Sequence, residues 1–221
     1  MTVLLVLFTL ILFLAADHFV QKSRRSRVLA QARQRLVLPD DVALASNHTW
    51  IRKDRLGTIT LGLDELMGKL VGAIDEIILP SVDSSITPAR ATISIRQGGK
   101  TLSFAPPVAG RVVEVNTRVR NEPRLARHRP YDEGWLVRIQ PATVAPRESR
   151  TGNAANAWLK EQAERVKEFL AARSAHNEPA FLQDGGLPAA GVLSGFAINV
   201  WHEFEREFVA LPEQMNSRKE V

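Results

Sequence analysis

The chain contains no cysteine. Disulfides, thiolate catalysis and cysteine-based metal sites are therefore excluded, and the absence fits a protein facing the cytoplasm. Internal repeats and low-complexity tracts are also lacking. One stretch is devoid of acid: Lys22, Arg24, Arg25, Arg27, Arg33 and Arg35 follow one another with no Asp or Glu between them. With a net charge of +5 and a pI near 10.0, the chain is drawn to anionic surfaces. The run lacks the interleaved aromatics of RNA-binding segments, so membrane headgroups rather than nucleic acid are its expected partner.

Ahead of that run, residues 1–16 carry no charged side chain. "VLLVLFTLILFLAA", residues 3–16, is Leu-rich, and apolar character resumes at Phe19 and Val20. Thr2 to Val20 meets the roughly 17–25 residues that a bilayer span requires. A cleaved signal peptide would have a basic n-region, which is missing, and a small-x-small cleavage site, which "FLAADH" offers weakly. A buried core helix would show a polar face, and here every face is apolar. The sequence therefore reads as a transmembrane anchor over residues 1–21 and a basic juxtamembrane helix over 22–41, with Lys22, Arg24, Arg25 and Arg27 at the membrane surface. All the positive charge lies C-terminal to the span, which sets the N-terminus outside and the rest in the cytoplasm, as a single-pass protein of the inner membrane. Asp17 and His18, at the end of the span, read as interfacial.

Residues 42–142 read as a β-domain. Short β-type runs punctuated by Gly and Pro recur there: "GTITLGL", "EIILP", "ATISI", "TLSF", "GRVVEVN" and "GWLVRIQ". Leu63, Leu66, Met67 and Leu70 predict one short helix among them. In "ISIRQGGKTLSF", Ile93 and Ile95 alternate toward Leu102 and Phe104 across Gly98-Gly99, the pattern of a tight hairpin. Residues 143–156 read as a linker and 157–221 as a helical extension. Its first helix, at about 157–173, carries Trp158, Val166, Phe169 and Leu170 on one stripe; a last amphipathic segment presents Val200, Trp201, Phe204 and Phe208. The fold class is thus mainly β with helices. The aromatic stripes either dock on the β-domain and complete its core or grip another protein, which makes Trp158, Trp201, Phe204 and Phe208 partner-binding candidates. His48, a lone histidine beside Trp50, reads as structural, since a metal or catalytic site needs convergent partners.

Three stretches carry a family likeness: "NHTWIR" at 47–52, "GTITLGLDELMGKLVGAIDEIILP" at 57–80, and "PPVAGRVVEVNTRVRNEPRLARHRPYDEGWLVRIQP" at 106–141. In order and spacing they resemble the H protein of the glycine cleavage system. The resemblance implies a flattened β-barrel, or barrel-sandwich hybrid, that carries a lipoyl group on a hairpin lysine. Two departures accompany it. Counting back without gaps from Pro107-Val108-Ala109-Gly110, the family's lipoyl lysine falls on Gly99 and the acidic residue before it on Arg96. Lys100 comes one position late, and a one-residue slip in a strand reverses the face. Its ammonium is expected to snorkel to solvent beside the turn. The second departure is "ARHRPY", which places Arg127, His128 and Arg129 where the family is acidic. It reads as a solvated basic face or as the mark of a changed, acidic or lipidic partner, with Arg127 and Arg129 as candidates.

The expectation is a non-catalytic, membrane-anchored scaffold or accessory subunit of a larger membrane complex, such as a respiratory or photosynthetic one. Catalytic residues, metal and cofactor are not expected. One alternative is a membrane-tethered lipoyl carrier, with lipoate on Lys100, in one-carbon or acyl transfer. Another is a peripheral regulator whose basic face binds anionic lipid.

Overall fold

The computed structural model describes residues 38–142, 149–174 and 187–211. The anchor, the basic run with Lys22, Arg24, Arg25 and Arg27, and most of the linker lie outside these residues. Among the described residues no helix is long and apolar enough to cross a membrane. In chain order the strands are β1 (Ala43–Leu44), β2 (Thr49–Lys53), β3 (Ile59–Leu63), β4 (Glu76–Ile78), β5 (Ser85–Ile86), β6 (Ile93–Gln97), β7 (Lys100–Phe104), β8 (Gly110–Val115), β9 (Val137–Pro141) and β10 (Arg150–Thr151). The helices are α1 (Glu65–Val71), α2 (Thr117–Asn121), α3 (Arg124–His128), α4 (Gly152–Ala171) and α5 (Ile198–Phe204). A 3-10 turn, Val192–Gly195, precedes α5, and a π-helical turn, Glu205–Val209, continues it.

Two antiparallel sheets form, in the orders β10-β1-β2-β3-β9-β8-β5 and β4-β6-β7. The alternation read at 93–104 explains the smaller one. Ile93 pairs with Phe104 and Ile95 with Leu102, and all four side chains are buried. Leu63, Leu66, Met67 and Leu70 are likewise buried, and Asp64 starts α1 by accepting the Met67 N–H at 2.8 Å, one of the orphan donors of a helix start. In β8 a bulge between Val112 and Glu114 interrupts the alternation. Val112 is buried, while Val113 and Glu114 both face out.

Two parts of the sequence reading are revised. The stretch 117–128 holds two five-residue helices that no periodicity announced. The segment read as linker to residue 156 supplies β10, which pairs with β1, and the first turns of α4, which begins at Gly152. One core cluster runs from the β-domain through α4 to residue 209. Trp201 and Phe204 have no exposed surface, Phe208 has almost none, and Trp158 lies over the His48 ring at 5.0 Å. All four candidates for gripping a partner therefore sit within this chain's own packing. The stacked Phe204 and Phe208 rings, 4.8 Å apart, meet Phe169 of α4 edge-on.

Candidate functional site

The β6–β7 turn is two glycines with φ of +53° and +76°. Both central positions of such a turn need positive φ, which Gly adopts without a Cβ penalty. The Gly98 N–H donates to Asp75 Oδ2 at 2.7 Å, which pins the apex to the loop before β4. The apex itself presents no side chain. Arg96 pairs with Glu76 at 2.8 Å across the strands, both half exposed.

Lys100 stays partly exposed, as expected of a lysine beside the turn, but its ammonium is held by the chain itself. It opposes Gln97 and, at period two, shares the inner face of Leu102 and Phe104. Its Nζ donates to the backbone carbonyls of Ser194 and Phe196, each at 2.7 Å, and lies 5.5 Å from the centre of the Trp201 ring. Two carbonyl dipoles and an aromatic face thus receive one ammonium.

Those acceptors belong to a C-terminal strap, residues 187–211, laid along β7 from Lys100 beside the turn to Ser103. Its first anchor is a contact between two glycines. Gly191 donates its N–H to the Lys69 carbonyl at 2.8 Å, and a Cβ on Gly72 would fall 2.4 Å from the Gly191 Cα. Val192 and Leu193 are then buried, and Trp201 Nε1 donates back to the Leu193 carbonyl at 2.8 Å. Finally Glu205 Oε2 accepts the Ser103 N–H at 3.0 Å, satisfying a donor of β7, the strand at one edge of its sheet.

A second polar cluster lies at the start of α1. His48, at φ +62°, and Asp64 are fully buried, with Nδ1 and Oδ2 2.7 Å apart. The partner that the sequence reading failed to find for His48 is therefore the N-cap of α1, and an Asp just before the apolar stripe was its signal. His48 Nε2 faces no hydrogen-bond partner and packs beside Trp158. Tyr131 closes the cluster. Burial raises its phenol pKa first and the Asp64 charge second, while the Glu65 N–H that it accepts at 3.3 Å works the other way. Among the described residues no three His, Asp or Glu side chains converge as a metal site. His48 and Asp64 form a buried hydrogen-bonded pair that ties the start of β2 to the start of α1.

The third feature is a basic corner built by α2 and α3. Five arginines, 118, 120, 124, 127 and 129, stand between residues 117 and 129 against one acid, Glu122. Arg118 and Arg129 share the carboxylate of Glu133, and Arg124 meets Glu122 at 3.0 Å. Lys69 of α1 joins the corner. Burial lowers its pKa, the Glu65 charge opposes that, and the Arg127 charge lowers it further. The candidates Arg127 and Arg129 are thus together on one surface, with Arg129 held by acids of its own chain.

Residues 42–166 match the family described as Glycine cleavage H-protein. The chain belongs to that family. The matched region of this H-protein domain runs past Pro141 into α4, and the strap begins beyond it. Similar relatives include the glycine cleavage system H proteins of Shewanella denitrificans, 34% identical over 106 residues, 48% of this chain and 81% of that one, and of Aliivibrio fischeri, 28% identical over 109 residues, 49% and 86%. A crystal structure of a glycine cleavage system H protein from Mycobacterium marinum superimposes with a TM-score of 0.50 at 23% identity, covering 56% of this chain and 99% of that one. The fold is shared at that level.

Proposed function

We propose that this chain is an H-protein-domain scaffold that has given up the carrier role, is tethered to the inner membrane, and serves as an accessory subunit of a larger membrane complex. One observation carries the reading: the hairpin apex is side-chain-free, and Lys100, the lysine beside it, is bound by the chain's own strap. A carrier lysine must be free to be acylated and to swing. Lys100 shares the inner face of its strand and donates to two carbonyls of the strap. Among the described residues both hydrogen bonds of that ammonium go to backbone carbonyls, not to a side-chain base of the kind nucleophilic lysine chemistry uses. The tether rests on the uncharged Leu-rich segment and the basic run that follows it.

Two substitutions separate scaffold from carrier. Lys100→Arg keeps a cation that can donate to both carbonyls but removes the acylable amine. It should complement a deletion of the gene as well as the wild type does; a carrier would be inactivated. Lys100→Met removes both charge-assisted bonds, each worth roughly 1.5–3 kcal/mol with partial compensation by water, so a loss of about 2–3 kcal/mol is expected in chemical denaturation. An arginine variant with the phenotype of the deletion would reverse the assignment in favour of lipoate on Lys100.

A further inference from the structure

We infer that the basic corner of α2 and α3 lies against an anionic bilayer, an inference that rests on the tether proposed above. The decisive geometry is where the described domain begins. Arg52 clasps Asp41, Nε to Oδ2 at 2.6 Å, and with Nη1 donates to the Tyr131 carbonyl at 2.9 Å. One guanidinium therefore joins the first residues of the folded domain to the segment directly following Arg129. Upstream, residues 21–37 carry six basic residues and no acid. The corner and that upstream run share one charge sign, and an anionic leaflet attracts both. A negative plane compensates such charge at roughly fivefold in binding per basic residue near the surface. Arg120, Arg124 and His128 are exposed on the corner, placed to meet headgroups.

The test exploits the absence of cysteine. A single cysteine in place of His128 takes a polarity-sensitive fluorophore on the full chain, reconstituted into vesicles of phosphatidylcholine alone or mixed with phosphatidylglycerol. Ser85→Cys is the reference, since β5 pairs with the start of β8 at Arg111 and α2 follows the end of that six-residue strand, roughly 20 Å away. The His128 label is expected to shift to the blue in the phosphatidylglycerol vesicles only, and the Ser85 label in neither. Raised salt, which shortens the screening length to about 3 Å at 1 M, should abolish the shift. So should the combined Arg120→Gln, Arg124→Gln and Arg127→Gln changes, with the thermal melt unaltered. Identical emission in both vesicles, from chain that resists alkaline extraction, overturns the inference and leaves the tether standing. A shift produced by soluble polyglutamate but not by vesicles overturns it in favour of an acidic protein. Release of the chain by alkali overturns the tether itself.

Discussion

Trp201→Ala is expected to destabilise the folded chain by about 3–5 kcal/mol, the range for truncating a large buried aromatic. At roughly 2–4 °C per kcal/mol for a chain of this size, the melting temperature should fall by about 10 °C. The residue has no exposed surface, its indole N–H holds the Leu193 carbonyl at 2.8 Å, and its ring receives the Lys100 ammonium. Its loss therefore acts at three places along the strap. Trp201→Phe keeps an aromatic face and loses the N–H, so a smaller decrease is expected. Calorimetry or thermal circular dichroism decides it. A melt unchanged by the alanine variant would mean that the strap does not belong to the cooperative fold.

The second large effect is at Asp64. Replacing it by alanine strips the cap from α1 and leaves the imidazole of His48, fully buried, with no partner on either nitrogen. Losing the cap costs about 1 kcal/mol and an unpartnered buried imidazole roughly 1–3 kcal/mol more, so a loss of about 2–4 kcal/mol is expected. Asp64→Asn retains an oxygen for the Met67 N–H and presents an amide N–H that His48 Nδ1 can accept in its other tautomer, so the loss should be clearly smaller. Urea denaturation, with an unchanged slope, is the appropriate measure, because an unchanged slope assigns the loss to the native state. Equal stability of Asp64→Ala and wild type would contradict the structural role of the dyad.

Local patterns in the sequence located the β6–β7 hairpin, α1 and the C-terminal aromatic stripe, because each is decided by a period of two or of about 3.6 over several residues. The helices α2 and α3 were not legible. Each is five residues long, with Val119 the buried residue of one and Leu125 and Ala126 those of the other. A stripe cannot repeat in so short a span. Their starts depend on context: Asn116 caps α2 through the Arg118 N–H while its amide donates to the carbonyls of Glu133 and Trp135. The fate of Lys100 was hidden for a different reason. Its acceptors are backbone carbonyls 94 and 96 residues away. Every residue type provides a carbonyl, so neither Ser194 nor Phe196 marks the sequence. Gly191, needed where two backbones touch, is a signal, but it gains meaning only beside Gly72.

The central claim, that this H-protein domain keeps its hairpin lysine as a lock and not as a lipoyl carrier, is tested most directly by mass. The full chain is purified from its native host grown with lipoate available, and the intact protein and its peptides are weighed. The account predicts the mass of the unmodified chain and a peptide carrying unmodified Lys100. A lipoyl adduct on the Lys100 peptide would contradict it, since the acylated nitrogen could no longer hold both strap carbonyls as an ammonium.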